Sequence, residues 1–180
     1  MSFTSLPASL LPKWVISDTH FFQASAVSKG YRPAGYEDEL LANWSRLVDP
    51  DDIVFHLGDV IFSEASRLGG LIKRMPGRIH LVRGNHDHKS AGWYERKGFA
   101  AVHELPVLID NLLFSHEPIG RLPTGVINIH GHTHGDAHRA DELPPGYGPQ
   151  HIEIALETMG YRPILLDELL ASGRPNPHHY

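Results

Sequence analysis

Apolar residues along this chain recur in two distinct periods. Short runs rich in Val, Ile, Leu and Phe, namely KWVIS (13–17), DIVFHL (52–57), RIHLV (78–82), NLLFS (111–115) and VINIH (126–130), are bounded by turn residues and partly continuous in apolarity, as in buried strands. Between the first two, YEDELLANWSRLV (36–48) repeats Leu40, Leu41, Trp44, Leu47 and Val48 at helical spacing, with acids in its first turn. Between the second and third, SEASRLGGLIKRM (63–75) predicts a helix with Ser63 as N-cap and Met75, before Pro76, as its end. The order therefore begins strand, helix, strand, helix, strand. After Gly98 the pattern turns mostly to strands: FAAVHEL (99–105), PVLID (106–110), NLLFS, VINIH and HIEIALE (151–157). The Pro/Gly-rich ELPPGYGP (142–149) reads as a loop, and Asp167 as the cap of a final short helix, ELLASG. With no repeat, low-complexity tract or linker, the 180 residues, 41% of them hydrophobic, predict one α/β domain over 1–180.

The polar residues fall where those strands end. KWVIS runs into DTH, DIVFHL into GD, RIHLV into RGNHD, NLLFS into His116 and VINIH into GHTH. Five strands thus end in Asp, Asn or His, the donor set of borderline divalent metals. The carboxyl ends of strands in an α/β sheet share one edge, so clusters far apart in sequence can converge there. Asp18 and His20, like His132 and His134, are two residues apart and point to one side if strand geometry persists. Gly58, Gly84 and Gly131 stand between strand and polar cluster, where the backbone must turn sharply or approach a neighbour closely.

Composition narrows the chemistry. There is no cysteine, which excludes disulfides, thiolate metal sites and a cysteine nucleophile, so any metal must use nitrogen and oxygen. A net charge of -5 argues against an electrostatic nucleic-acid binder, although a local cationic site made by bound metal would not show in that sum. The N-terminal MSFTSLPASLLPKW lacks a basic n-region and no apolar run reaches the length of a membrane span; the expectation is a soluble, cytoplasmic protein. Of the 14 histidines, His178 and His179 are expected on a frayed terminus.

DTH (Asp18 to His20), GD (Gly58, Asp59), GNHD (Gly84 to Asp87), the isolated His116 in SHEP, and GHTH (Gly131 to His134) together resemble the calcineurin-like metallophosphoesterase superfamily, in its order and approximate spacing. The motifs run from 18 to 134, and WVISDTHF, VFHLGD, HGHTHG and YRPILLDEL are similar to the small bacterial and phage members without a cap domain. The resemblance implies a four-layer αββα sandwich, two packed mixed β-sheets flanked by helices. It implies two divalent transition-metal ions, manganese first, with Fe, Zn, Ni or Co accepted by the same donors. Carried over by motif, Asp18, His20, Asp59 and His134 would hold one ion, and Asp59, Asn85, His116 and His132 the other. Asp59 would bridge ions about 3.5–4 Å apart. Four positive charges against two carboxylates leave roughly +2, enough to draw phosphate to an acidic protein.

The implied activity is metal-dependent hydrolysis of a small phosphoester, a phosphodiester before a monoester, with a nucleotide among the candidate substrates. A bridging hydroxide would attack phosphorus in line, with His86 as general acid and Asp87, its catalytic neighbour, orienting the loop. Arg83 and His88 are candidate substrate contacts, with a surface ion pair and simple exposure as the plainer readings. Support of the site and an ordinary core role are equally open for His56 and His130; His80, His103 and His151 read as structural. His138 could line the site or sit in a solvent loop. Phe21 and Phe22 could wall a base or aryl group, with core packing favoured. Phe62 stands where some nucleotide-acting members carry a further acid, which weakens transfer of their specificity. No insertion is present that would build an extended nucleic-acid groove. A phosphomonoesterase or dinucleoside polyphosphate hydrolase is the alternative enzyme, and a protein-binding scaffold on the same fold is the alternative class.

Overall fold

A computed structural model describes residues 2–135 and 143–172; His138, His178 and His179 lie outside them. Among the described residues, ten strands and five α-helices follow in chain order: β1 (Thr4–Ser5), β2 (Trp14–Ile16), α1 (Ala24–Ser28), α2 (Tyr36–Leu47), β3 (Ile53–His56), α3 (Leu68–Ile72), β4 (Arg78–Val82), α4 (Ala91–Glu95), β5 (Ala101–His103), β6 (Val107–Ile109), β7 (Leu112–Phe114), β8 (Ile127–His130), β9 (His151–Glu153), β10 (Ile164–Leu165) and α5 (Leu166–Ser172). The strands form two five-stranded mixed sheets, in the orders β1-β6-β7-β8-β9 and β10-β2-β3-β4-β5. β2, β3, β4 and β5 are parallel, as are β7, β8 and β9, so the polar clusters do leave the same end of each sheet.

The near-continuous apolarity of the central strands has a direct cause. Trp14 and Ile16 face one core with Val54, Ile79 and Leu81, packed under Leu40, Leu41 and Trp44 of α2 and Leu68, Leu71 and Ile72 of α3. Val15, Phe55 and Val82 point the other way, into a second core with Val107, Ile109, Phe114 and Ile129 of the opposite sheet. A strand covered on both faces has no position for solvated side chains, so alternation disappears. Phe55 and Phe114 meet edge to face across the sheets, ring centroids 5.1 Å apart.

Three local expectations are corrected. The helix read over 63–75 is broken into a 3-10 turn at Ala65–Arg67 and the short α3, and Ser63 is not its cap: the residue before the turn is Glu64, in left-handed backbone, while the Ser63 hydroxyl donates to Phe22 O at 2.5 Å. Gly69 and Gly70 within this stretch explain the weakness of a longer helix. The last helix starts at Leu166, which puts Asp167 in its first turn instead of at its cap, where its charge still meets the positive helix end. HIEIALE is a strand only to Glu153, and Leu156–Thr158 forms a 3-10 turn.

Two of the buried histidines, His56 and His80, lie on β3 and β4. Burial pushes His56 down to about 3 and His80 down to about 4, with neighbouring His116 and His103 adding to it. His56 Nε2 lies 2.9 Å from the Thr19 hydroxyl, and His80 Nδ1 lies 3.3 Å from His103 Nε2 with the rings stacked. Once unfolded, both regain an ordinary value near 6.5, so below that pH the unfolded chain binds protons that the folded chain refuses. Their contribution is complete above about 6.5 and falls by about 1.4 kcal/mol per histidine for each pH unit below it. The melting temperature of metal-free protein should therefore drop steadily from pH 6.5 to 4.5, with a shallower slope in His80→Gln; a flat profile would contradict this account.

Candidate metal centre

The seven residues at the strand ends converge. Asp18 Oδ1 is buried without a hydrogen-bond partner and lies 3.7 Å from both His20 Nε2 and His134 Nε2. Asp59 Oδ2 lies 3.5 Å from His20 Nε2 on one side and 3.5 Å from His116 Nε2 on the other. Asn85 Oδ1 and His132 Nδ1 stand 2.8 and 3.1 Å from that same His116 nitrogen. Two donor sets thus share Asp59, one with Asp18, His20 and His134, the other with Asn85, His116 and His132.

Proton placement shows what such sets can hold. Leu57 O can only accept, so His116 Nδ1, 2.8 Å away, donates to it, and the tautomer this fixes turns the lone pair of Nε2 towards the centre. That lone pair faces the oxygens of Asn85 and Asp59. On the other side, His134 Nδ1 donates to a carboxylate oxygen of Glu157 at 3.2 Å and its Nε2 faces Asp18; burial works against its charged form, but the hydrogen bond to Glu157 and the charge of Asp18 raise its pKa above the ordinary value. Burial, together with the charges of His134 and Arg32, pushes His20 down to about 2 and keeps it neutral. Lone pairs aimed at one another repel; a cation between them turns each contact into attraction. The residues present therefore fit divalent ions, with nitrogen and oxygen donors only. Burial raises the Asp59 carboxyl against the lowering influence of His116, and Asp18 raises it further, as expected when two carboxylates share a dry site without a counter-ion.

Holding this arrangement demands unusual backbone. Asp18, His20, Asp59, His132 and His134 all adopt left-handed conformation, with φ between 42° and 74°. Non-glycine residues rarely do so, and clusters of them mark sites where side chains are re-aimed. Close approach is equally demanding. A side chain at Gly58, itself at φ 92°, would lie 2.5 Å from Gly84 N; one at Gly84 would strike the Asp59 carboxylate, and one at Gly131 would strike Ser17 Oγ and Asp18 Oδ2. The glycines lock the strand-end loops together in pairs.

The GNHD loop distributes its residues to different tasks. His86 N donates to Asp59 Oδ1 at 2.8 Å, while its ring is partly exposed, with Nε2 3.9 Å from Asp59 Oδ2. Asp87, expected beside His86 in catalysis as the residue that orients the loop, is turned back into the loop. Its buried carboxylate accepts from Asp59 N (2.8 Å), Gly84 N (2.9 Å), Val60 N (3.3 Å) and Tyr94 OH (3.2 Å) and lies outside the pocket. Arg83 is likewise turned away: its guanidinium pairs with Glu104 and donates to Asp87 O, along a separate groove. His88 is exposed, its ring 6.3 Å from that of His86, and does not line the pocket.

Other expectations are resolved similarly. His56 buttresses Thr19, whose hydroxyl donates to Val60 O, so it steadies the turn between Asp18 and His20. His130 Nδ1 donates to Gly131 O at 2.9 Å and Nε2 meets Tyr147 OH at 3.2 Å, which secures the start of GHTH. His80, His103 and His151 are structural as read; His151 Nε2 donates to Ile119 O. Phe21 is fully buried in the core and Phe22 packs beneath Arg67, so neither walls the site. Phe62, half exposed, does border it, 5.6 Å from the His86 ring. Sequence reasoning missed Arg32 and Glu157, which also line the pocket; neither belongs to a motif, and only an isolated charge marked them.

The sequence profile of the calcineurin-like phosphoesterases matches residues 11–174, nearly the whole chain. This chain belongs to that family. It is 33% identical over 166 residues to an uncharacterised protein of Methanocaldococcus jannaschii, covering 86% of each chain. The gene 66 protein of Mycobacterium phage D29 is 27% identical over 178 residues, covering 80% of this chain and 87% of its own. A protein of unknown function from Aquifex aeolicus, solved by crystallography, superposes with a TM-score of 0.67 at 24% identity, over 94% of this chain and all of that one, which shows a shared fold. As a calcineurin-like phosphoesterase the protein is assigned metal-dependent phosphoester hydrolysis, and its two donor groups, Asp18/His20/His134 and Asp18/Asp59/His116, fit that chemistry. No helix among the described residues is long and apolar enough to cross a membrane.

The tightest contact gives the sharpest test of the geometry. Gly84→Ala should fold yet lose bound metal, because the added methyl must displace the Asp59 carboxylate; metal content equal to wild type would show that Asp59 does not hold an ion where its oxygens now lie.

Proposed function

We propose that this calcineurin-like phosphoesterase is a phosphodiesterase working through two divalent ions, manganese first, with His86 as the proton donor to the leaving group. One ion would be held by Asp18, His20, Asp59 and His134, the other by Asp59, Asn85, His116 and His132. The observation that carries this reading is the pair of converging donor sets joined at Asp59 Oδ2, with the ring of His86 at their rim. Bound there, divalent ions would acidify water and polarise phosphoryl oxygens. The rest falls to the chain. The backbone of His86 is pinned to the Asp59 carboxylate while its ring, unlike the buried ring of His20, stays open to the pocket, so it can hold a proton where a leaving oxygen departs. Asp87 keeps that loop in register, and Phe62 shields the His86 edge from water.

Preference for a diester rests on two features. The centre lies between two depressions that share Asn85: a pocket of 560 Å³ lined by Gln23, Tyr31 and Arg32, and a groove of 360 Å³ lined by Leu105, Pro106 and Ile119. A phosphate between them can carry a substituent on each side. Among the described residues, the arginines lining the two depressions are Arg32 and Arg83; Arg32 is engaged by Glu157, Asp18 O and Thr19 O, and Arg83 by Glu104 and Asp87 O, which leaves little for the second charge of a monoester. Tyr31, exposed on the pocket rim, and Phe62 offer aromatic faces suited to a nucleobase, which favours a nucleotide substrate. A scaffold would have no use for buried, mutually repelling lone pairs, which cost stability unless a cation sits among them.

Chelator-stripped protein supplied singly with Mn²⁺, Ni²⁺ or Zn²⁺ should hydrolyse bis(nitrophenyl) phosphate faster than nitrophenyl phosphate. The opposite preference would make it a monoesterase, and inactivity with two ions bound would favour the scaffold. His86→Ala should keep both ions but lose about 10²- to 10⁴-fold in turnover of diesters with alkoxide leaving groups. With nitrophenolate, which needs little protonation, the loss should nearly vanish; an emptied metal position would mean that His86 is a ligand instead.

A further inference from the structure

Glu157 and Arg32 lie in no motif, yet they connect the two ends of one donor set. Glu157, in the 3-10 turn after β9, places Oε1 3.2 Å from His134 Nδ1, 2.9 Å from Arg32 Nε and 2.8 Å from Arg32 Nη2. Arg32, its side chain almost wholly buried, donates through Nη1 to Thr19 O at 2.8 Å and through Nη2 to Asp18 O at 2.7 Å. Its guanidinium also lies over the Tyr36 ring, 4.9 Å from the centroid, and Tyr36 OH donates to His20 O at 2.9 Å. A single ion pair, buried on its arginine side and half-buried at Glu157, therefore fixes the backbone of the DTH turn, left-handed at Asp18 and His20, and the ring of His134, its two members 125 residues apart in sequence.

The second donor set is built differently. His116 is oriented by a neutral backbone carbonyl, Leu57 O. A carboxylate behind an imidazole fixes its tautomer and makes its free nitrogen a stronger donor than a carbonyl does. His134 and His116 are thus unequal donors although their positions share Asp59. From this asymmetry we infer that Glu157, locked by Arg32, is a positioning residue that sets the affinity of the Asp18/His20/His134 position separately from that of the Asn85/His116/His132 position. The inference rests on the two-ion reading proposed above.

The test is a count of bound ions. Full-length wild type and Glu157→Gln, both stripped with chelator, are titrated calorimetrically with Mn²⁺, and retained metal is measured after gel filtration. Gln keeps the shape and an acceptor for Arg32 but removes the charge. Wild type should bind two ions per chain; the variant should bind one with unchanged affinity and the other about 10- to 100-fold more weakly. Two ions at wild-type affinity, or equal weakening of both, would overturn the inference while leaving the two-ion reading intact. Wild type that binds none would overturn that reading itself. Should Glu157→Gln fail to fold, the pair can be replaced together by Arg32→Met with Glu157→Leu, since a buried ion pair exchanged for apolar groups of similar volume is often neutral in stability. The same selective loss is expected there, and retention of both ions would count against the proposal just as clearly.

Discussion

Everything in this molecule is arranged around the repulsion between two buried carboxylates and the imidazole lone pairs that face them. Asp18 and Asp59 are almost free of solvent, and Asp18 Oδ1 has no partner at all. Left alone, such a cluster would splay apart or protonate, as the raised Asp59 carboxyl indicates. It persists because each member is held from behind. Asp18 Oδ2 accepts from His132 N, Asp59 Oδ1 from His86 N, and His116 and His134 are each pinned by the nitrogen that faces away from the centre. Left-handed backbone at five of these residues costs on the order of 1 kcal/mol apiece, which the two hydrophobic cores must offset.

Sheet packing decides where the lone pairs meet. Asp18, Asp59 and Asn85 leave the sheet that contains β2, β3 and β4, whereas His116, His132 and His134 leave the one that contains β7 and β8. The distance from Asp59 to His116 is thus a property of the layer between the sheets, including the contact of Phe55 with Phe114. Loops alone could not hold seven donors at such spacing. A rigid, two-sided core is what makes the strained loops tolerable, and it is also why the ligands can lie in five separate stretches of sequence.

These physical causes explain what was legible from sequence. The central strands announced themselves because burial on both faces leaves unbroken apolar runs, and the donor residues did so because they follow those runs directly. β1 and β10, two residues each, carry no such signal; they exist by pairing with β6 and β2 from far along the chain. The helix over 63–75 was over-read because apolar spacing outweighed Gly69 and Gly70 in the pattern, while Ser63, a good cap by type, was drawn to Phe22 O by tertiary structure. Arg32 and Glu157 could not be found by spacing. Their partner relation spans most of the chain, and a lone arginine in SKGYRP looks like any solvated loop charge.

The short stretch from Gly84 to His88 condenses the same logic. Gly84 is bare because Asp59 occupies the space where its side chain would be. Asn85 turns to His116, His86 sets its ring against Phe62 and His20 at the pocket rim, Asp87 folds back to collect donors from three backbone nitrogens and a tyrosine, and His88 faces solvent. Asp87 N donates to Gly84 O at 3.2 Å, so the loop closes as a tight turn, and a turn sends successive side chains in different directions where a strand would send them in two. Adjacent residues of similar chemistry therefore receive unlike duties. Asp87, buried and fully occupied, holds the turn, while the ring of His86 stays at the pocket.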